Sequence, residues 1–245
     1  THADQVAQVV NLARQSGLEL AIRSGGHSLA GHSLSHGGIV LDLVNMQSMQ
    51  IDRKGSSAWA QSGLTAGKYT AAAAAHGLAT GFGDTGTVGL GGLTTGGGMG
   101  YLVRKYGLTI DQLLAAEVVT ADGQLVYTDD KTNPDLFWAI RGGGGNFGVI
   151  TRFKFQLHPL EKVFGGMLIL PATADTIAGA IEIARAASED LSIIGVVMKA
   201  PPMPFLPAEV HGKMVLMLNL VYSVPLTGFE AAVARLPHRR LVVEA

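Results

Sequence analysis

The chain has 245 residues, of which 47% are hydrophobic and 15% charged, and its formal net charge is −1. This length allows one or two domains with a sizeable core, and the charge balance is unlike that of a nucleic-acid-binding protein. Because the sequence contains no cysteine, it excludes disulfides, thiolate metal sites and any cofactor link through sulfur. The apolar runs are short and interrupted, so we expect no membrane-spanning helix.

No signal-peptide pattern opens the chain, which begins at Thr1 close to a predicted helix start. We therefore expect the natural N-terminus to lie further upstream. The sequence leaves the cellular location open, with a cytoplasmic one slightly favoured.

Residues 4–17 predict the first helix, because Val6, Val9, Val10 and Ala13 share one face and Gly17 suits the position that ends a helix. Thr65 is a plausible N-cap for a second helix. Further elements follow in chain order: strands over 18–22, 38–43 and 58–61, the second helix over 65–76, and a strand over 149–157.

The dipeptide Asp122-Gly123 lies between two apolar runs, 116–120 and 124–128, and so predicts a β-hairpin. A short helix is predicted to follow, with Asn133 as its N-cap and Pro134 in its first turn.

We predict a domain boundary near His158, giving a first domain over 1–158 and a second over 159–245. The second part predicts strands over 163–170, 191–199 and 213–221, helices over 173–187 and 228–236, and a proline-rich loop over 201–207. These elements are few for a layered α+β domain, so we expect the second domain to be incomplete.

Three glycine-rich segments are the most informative feature of the sequence, and they span residues 23–28, 89–100 and 141–148. Glycine permits close backbone approach and positive φ, and successive main-chain N–H groups can form an anion-binding concavity. Three such segments suggest a long ligand with a phosphate or pyrophosphate in its middle. His27, directly behind Gly25-Gly26, could anchor that ligand.

Residues 81–86 match the pattern G-x-G-x-x-G, which in dinucleotide-binding proteins follows a strand and opens a helix. Here a helix is predicted to precede the pattern. We therefore do not assign a nicotinamide-dinucleotide site to it.

The run from Ile22 to His158 resembles the flavin-binding domain of the vanillyl-alcohol-oxidase superfamily (the PCMH-type FAD-binding domain). It is most similar to the berberine-bridge-enzyme-like and hydroxynicotine-oxidase-like FAD-linked oxidases. The matching segments occur in the family's order and spacing: 23–31, 37–43, 87–92, 96–100, 104–111 and 137–151. The resemblance implies an α+β fold in which two small α+β subdomains hold FAD, followed by a substrate domain with an antiparallel sheet.

The resemblance implies that His27 bonds covalently to the 8α-methyl carbon of the flavin. Some family members add a second link through a cysteine, but Thr85 occupies that position here, so we predict a single covalent bond. Val88 matches a position that governs oxygen access, where valine is associated with oxidases. The full set of cofactor-binding residues that we predict is Arg23, Ser24, Gly25, Gly26, His27, Ser28, Thr85, Val88, Gly89, Gly91, Gly92, Gly98 and Val149.

Other side chains allow alternative interpretations. His27, His32 and His36 could suggest a metal site, but without cysteine a loop is the better interpretation, and we predict no metal. Asp42 and Asp111 lie in apolar runs and are expected to accept hydrogen bonds from local backbone donors.

Charged and aromatic side chains in the later motifs also have a structural explanation. The pair at 104–105 is interpreted as a solvated helix end. Of Phe137, Trp138 and Phe147, we expect two to lie in the core.

The sequence therefore predicts an FAD-dependent oxidase that takes a hydride from an alcohol, sugar or amine and passes two electrons to oxygen, giving hydrogen peroxide. Two alternatives stay open: an inactive flavin-binding fragment, and a dehydrogenase with another electron acceptor. The expected partners are a small-molecule substrate and oxygen, with no nucleic acid and no membrane. An open sheet edge in the second part also allows a homodimer. No motif identifies the catalytic base, and Tyr222 is the only tyrosine of the second part.

Overall fold

The computed structural model describes residues 2–160 and 162–223. The chain divides into two compact units, with the division between residues 161 and 162. Each unit contains helices and antiparallel sheet, so the predicted α+β class is confirmed. The helix predicted over 228–236 lies outside the described residues.

The first unit is built on an antiparallel five-stranded sheet and a parallel two-stranded one. Its helices are α1 (Ala3–Ser16), α2 (Ala66–Ala74), α3 (Leu90–Thr95), α4 (Val103–Tyr106) and α5 (Pro134–Ile140). Its strands are β1 (Leu20–Arg23), β2 (Ile39–Asp42), β3 (Met49–Asp52), β4 (Ser57–Gln61), β5 (Leu78–Ala79), β6 (Leu113–Val119), β7 (Leu125–Asp129), β8 (Val149–Gln156) and β9 (His158–Pro159). The larger sheet has the order β3-β4-β8-β6-β7, which places β8 at its centre.

Two hydrophobic clusters lie within this unit. The larger one covers a face of the five-stranded sheet and includes Tyr69, Phe153 and Phe155. The smaller one packs α1 against the ends of β6 and β8 through Val119 and Val149. Ile22 of β1 packs against the smaller cluster, which includes Val149, so the end of β1, where the first glycine-rich segment begins, lies near the start of β8, where the third one ends.

Local sequence signals account for several element boundaries. Gly17 follows α1 with a φ of 65°, and Thr65 caps α2 by accepting from the main-chain N–H of Lys68 at 3.4 Å, as predicted. The predicted hairpin is also confirmed, since β6 and β7 pair antiparallel and Gly123 has a φ of 82°.

The α5 region confirms one prediction and contradicts another. Asn133 occupies the N-cap position of α5 and Pro134 lies in the first turn, as predicted, although the Asn133 side chain donates to the Tyr127 carbonyl at 2.8 Å instead of capping the helix. The expectation that two of the three aromatic residues lie in the core is wrong. Of the three aromatic residues, only Phe137 is buried, while Trp138 is 78% and Phe147 40% exposed. Adjacent positions on a helix point to different sides, so only one of the pair 137–138 can face the core.

The segment before residues 81–86 also differs from the prediction. Between α2 and this segment lies the two-residue strand β5, which pairs antiparallel with β9. No helix begins within residues 81–86. A dinucleotide-binding fingerprint needs a strand that leads directly into a helix, so the pattern lacks that context here.

The strand β9 includes His158, whose ring stacks on Tyr106 with centroids 4.0 Å apart. Its Nε2 is buried without a hydrogen-bond partner among the described residues. Burial lowers the pKa of His158 below its ordinary value of 6.5, because the protonated ring would lose its hydration.

We expect the His158 ring to make stability depend on pH. As the pH falls, the His158 ring is protonated in the unfolded chain before it is protonated in the folded chain, and this favours unfolding. The stability that depends on a neutral His158 is therefore fully present above about pH 6.5 and is lost as the pH falls through the lowered pKa of the folded chain. Thermal melts at a series of pH values would test this against His158→Phe, which keeps a ring on Tyr106 but cannot titrate. An equal pH dependence in both proteins would contradict the expectation.

The second unit is a three-stranded antiparallel sheet with one helix on it. Its strands are β10 (Phe164–Pro171), β11 (Leu191–Lys199) and β12 (Met214–Tyr222), and its helix is α6 (Ala174–Ala186). The order is β10-β12-β11, so β12 is central, and Leu216, Leu218 and Leu220 pack against the α6 side. The predicted proline-rich loop follows β11 and ends in a short 3-10 turn, Ala208–Val210.

Candidate functional site

The first glycine-rich loop leaves the end of β1 with unused main-chain donors. The N–H groups of residues 25–28 donate to no acceptor in the described part of the chain. Gly26 has a φ of 71°, a left-handed conformation that favours glycine. A run of successive free N–H groups in such a turn is a binding site for an anion.

The second glycine-rich segment lies directly against the first. A Cβ on Gly25 would be 2.2 Å from the Gly89 nitrogen, and a Cβ on Gly89 would be 2.3 Å from the Gly25 nitrogen. Neither residue can carry a side chain without moving the main chain of the other. Gly25 and Gly89 are therefore glycines because two loops meet there, a reason that does not require a ligand.

Ser62 ties both loops to the central strand. Its carbonyl accepts from Ser24 Oγ at 2.5 Å and from the Gly91 N–H at 3.3 Å. Its own hydroxyl donates to the Ile150 carbonyl at 2.5 Å, and its side chain is buried. Sequence reasoning missed this residue, because its partners lie 38 and 88 positions away and no motif marks it.

We expect Ser62→Ala to reduce the free energy of unfolding by about 1–3 kcal/mol, since the buried Ile150 carbonyl loses its donor. Chemical denaturation would measure this. Ser57→Ala is the matched control, because Ser57 is buried at the other end of β4 and its hydroxyl makes no hydrogen bond in the described chain. If the two variants lost the same free energy of unfolding, the connecting role of Ser62 would be contradicted.

Other glycines of these segments face open space. A Cβ on Gly92 would meet nothing within 4 Å outside its own helix, and the same holds for Gly142, Gly144 and Gly145 of the third segment. The 3-10 turn Gly144–Phe147 packs against α3. The structure thus brings the three glycine-rich segments together and leaves room beside them.

His27 lies on this loop, and its ring is held by a threonine of the second segment. The His27 Nε2 lies 3.1 Å from Thr87 Oγ1, and both residues are exposed. Thr85, the position that matches the cysteine of some relatives, donates its hydroxyl to Asp84 at 3.1 Å instead. The imidazole is therefore accessible to a ligand that occupies the adjacent space.

A positive charge lies beside the loop. Arg23 Nε is 3.7 Å from Asp42, and the guanidinium lies close to Gly26, whose Cβ would be 3.1 Å from Nε. Both charged side chains are partly exposed, so this ion pair adds little stability. Asp42 also accepts from the Val44 N–H, which confirms the predicted backbone contact.

Asp111 likewise accepts from a local backbone donor, the Leu108 N–H at 2.9 Å, as predicted. It also lies 3.9 Å from Arg141 Nη2. Asp42 and Asp111 thus each accept a hydrogen bond from a backbone N–H and lie beside an arginine.

Three more of the predicted site residues have distinct surroundings. Val88 directly follows Thr87, the residue that contacts the His27 ring, and its carbonyl accepts from the Ala66 N–H. Val149 begins β8 and is buried in the small cluster, so only its main chain could reach a ligand. Gly98 has a φ of 73°, and a Cβ there would lie 2.3 Å from Thr109 Oγ1, so packing alone accounts for this glycine.

Comparison with known proteins decides the family. Residues 1–129, more than half of the chain, match the family described as the FAD binding domain. The chain belongs to this family.

Several relatives of this FAD-binding-domain chain are oxidoreductases by name. It is 43% identical over 178 residues to (R)-6-hydroxynicotine oxidase of Paenarthrobacter nicotinovorans, covering 72% of this chain and 39% of that protein. It is 42% identical over 168 residues to berberine bridge enzyme-like 5 of Arabidopsis thaliana, covering 66% and 32%. Among solved structures, 6-hydroxy-D-nicotine oxidase of Arthrobacter nicotinovorans superposes with a TM-score of 0.87 at 33% identity, covering 99% of this chain and 53% of that one.

The chain thus spans about half the length of the solved relative and less of the curated ones. The predicted resemblance to the berberine-bridge-enzyme-like and hydroxynicotine-oxidase-like proteins is confirmed by these matches.

The residues of the first unit fit an FAD. A diphosphate accepts hydrogen bonds, and the free N–H groups of residues 25–28 are donors of the kind that it needs. A Cβ on Gly92 would meet nothing within 4 Å, and the exposed His27 ring belongs to the loop that carries these donors.

Within residues 2–160 and 162–223, no helix has the length and apolar character needed to cross a membrane. In the same residues, no group of three or more histidine, aspartate or glutamate side chains is arranged to hold a metal ion.

Proposed function

We propose that this chain is the flavin-binding part of an FAD-dependent oxidase in which His27 forms a single covalent bond to the flavin. The observation that carries the proposal is the position of His27, which lies among the free N–H groups of residues 25–28 and whose ring contacts Thr87 of the second glycine-rich segment. The family match supports FAD as the ligand.

Different residues of the chain would contribute to FAD binding in different ways. The main-chain donors of residues 25–28 hold the diphosphate, and Arg23 adds a positive charge beside them. Gly25 and Gly89 hold the two loops in contact, and Gly92 leaves space for the ligand. FAD, when bound, accepts a hydride from the substrate and passes two electrons to oxygen, which gives hydrogen peroxide.

The single link follows from position 85. Thr85 has no thiol, and its hydroxyl is already hydrogen-bonded to Asp84. His27 is therefore the one proposed attachment point. Val88, by the family resemblance, would admit oxygen to the flavin.

The substrate is proposed only by class, as an alcohol, a sugar or an amine. The curated relative named for (R)-6-hydroxynicotine places this cyclic amine in the test panel. The catalytic base stays unassigned. Tyr222 is buried in the hydrophobic cluster of the second unit, so the structure does not make it a candidate.

The experiment measures peroxide release by the purified chain under air with a panel of alcohols, oligosaccharides and cyclic amines. Substrate-dependent peroxide, together with protein-bound flavin, is the expected result. Bound flavin that is reduced by a substrate and reoxidised only by an added electron acceptor would indicate the dehydrogenase alternative.

A second candidate is a flavin-binding chain without turnover of its own, since no described residue is assigned as the catalytic base. This candidate predicts bound flavin and no peroxide with any member of the panel. Turnover with one of them would exclude it.

We also propose a homodimer through the second unit. In the described chain, β10 pairs only with β12, so another chain could extend the sheet at the other edge of β10. Light scattering at high protein concentration tests this. A monomeric mass would contradict it.

A further inference from the structure

We propose that Thr87 is a positioning residue that selects the nitrogen of His27 through which the flavin is attached. This inference rests on the proposed covalent function of His27. It assigns a role to a residue outside the predicted site and identifies Nδ1 as the attacking nitrogen.

The contact between the two side chains defines the orientation of the ring. Thr87 Oγ1 lies 3.1 Å from His27 Nε2, within hydrogen-bond distance. A neutral imidazole has a proton on one nitrogen and a lone pair on the other. When Nε2–H donates to Thr87 Oγ1, the lone pair is on Nδ1.

Thr87 can fix the ring because its own main chain is fixed. The carbonyls on either side of it, those of Gly86 and Val88, accept from the Gly67 and Ala66 N–H groups at 2.8 and 2.9 Å. Both donors belong to the first turn of α2, a nine-residue helix. Thr87 is thus held between two anchored residues, whereas His27 lies on a loop whose donors are unused.

Other hydroxyl groups near this position are occupied elsewhere. Ser24 donates to the Ser62 carbonyl, Thr85 donates to Asp84, and Ser28 Oγ accepts from the His32 N–H at 3.3 Å. Among the described residues, Thr87 supplies the only hydrogen bond to the His27 ring.

The attachment step balances with dioxygen as the oxidant. A bond forms between Nδ1 and the 8α-methyl carbon, and one C–H bond of that methyl group breaks. The methyl group and Nε2 each release one proton, and two electrons remain on the flavin ring. Dioxygen takes up the two electrons and two protons and becomes hydrogen peroxide. Thr87 accepts the Nε2–H hydrogen bond before the step and can donate to the deprotonated Nε2 after it.

The experiment compares wild type, Thr87→Val and Thr87→Ser, each as the full 245-residue chain prepared without flavin and then mixed with FAD under air. Valine keeps the shape of threonine without the hydroxyl, and serine restores the hydroxyl. Acid-precipitated samples give the rate of covalent attachment at several pH values. NMR of the flavin-containing peptide identifies the linked nitrogen. Thermal melts and the Kd for FAD before attachment serve as controls for folding and binding.

We expect Thr87→Val to attach flavin about tenfold more slowly, with a Kd for FAD within about twofold of wild type, because one positioning hydrogen bond is lost. The lower attachment rate of Thr87→Val should persist at every pH tested, since the variant lacks the contact that selects one tautomer. The variant should yield both Nδ1 and Nε2 adducts, while wild type and Thr87→Ser should yield Nδ1 adducts alone.

Several results would overturn the inference: a wild-type link through Nε2, a Thr87→Val rate equal to that of wild type, or a deficit that Thr87→Ser does not restore. If Thr87→Val does not fold, two measurements still test the inference: the identity of the linked nitrogen in wild type and the rate of flavin attachment in Thr87→Ser. If wild type itself attaches no flavin, the covalent function fails. If wild type attaches flavin and Thr87→Val does so equally well, only the role of Thr87 fails.

Discussion

His27→Ala is expected to abolish covalent flavin attachment completely while leaving the FAD site able to bind. The imidazole is the only proposed attachment point, because Thr85 offers no thiol and is hydrogen-bonded to Asp84. The donors that we propose for the diphosphate are main-chain N–H groups, which an alanine at position 27 retains. Flavin should therefore remain with wild-type protein after acid precipitation and be released entirely from the variant.

His32→Ala is the matched control, since His32 lies five positions further along the same loop and its side chain makes no contact with Thr87 in the described structure. It should retain covalent flavin like wild type. If His27→Ala kept acid-stable flavin, another residue would be the attachment point. If the variant could not bind FAD at all, the main-chain donors would not be the principal binding groups.

Gly25→Ala and Gly92→Ala are expected to have opposite effects on stability although both replace a glycine of the site. The new Cβ at position 25 would lie 2.2 Å from the Gly89 nitrogen, so the loops must separate, and we expect a loss of about 3 kcal/mol or more in the free energy of unfolding. Position 92 lies in α3 with open space around it, so alanine there should gain up to about 1 kcal/mol from helix propensity.

The two variants should also differ in how they bind FAD. Gly92→Ala should fold well but bind FAD at least about tenfold more weakly, because its methyl group occupies space that we assign to the ligand. Denaturation of the flavin-free proteins and titration with FAD measure the two properties separately.

Gly179→Ala, in α6 of the second unit, is the control for helix propensity. A Cβ there also meets nothing within 4 Å, and we expect a similar gain in stability with unchanged FAD binding. A Gly92→Ala variant that binds FAD with wild-type affinity would show that the ligand does not lie beside α3. A stable Gly25→Ala would contradict the close contact of the two loops.

The sequence predicted most of the regular structure of both units because the relevant signals are local. Gly17, Thr65 and the Asp122-Gly123 turn each act within a few residues of their own position, and the structure confirms all three. The short strands β5 and β9 were missed, since each has only two residues and exists by pairing with the other.

The candidate site was predictable only in part, for a physical reason. The glycine motifs identified the loops, but sequence could not distinguish a glycine that faces a ligand from one that faces another loop. Gly25 and Gly98 are explained by contacts with Gly89 and Thr109, whereas Gly92 faces open space. Ser62 could not be found, because its importance comes from hydrogen bonds that only the folded chain brings together.

The exposed aromatic residues show the limit of pattern reasoning on a short helix. Phe137 and Trp138 are adjacent in α5, and their sequence does not specify which of them faces the sheet. Tertiary packing places Phe137 inside and leaves Trp138 at the surface.

The most direct test of the central claim is a mass measurement on the purified, denatured chain, followed by sequencing of the flavin-bearing peptide. We predict an intact mass increased by one FAD, and one modified peptide in which His27 carries the flavin. An unmodified mass from a protein that was purified with FAD available, or a flavin on any residue other than His27, would contradict the account.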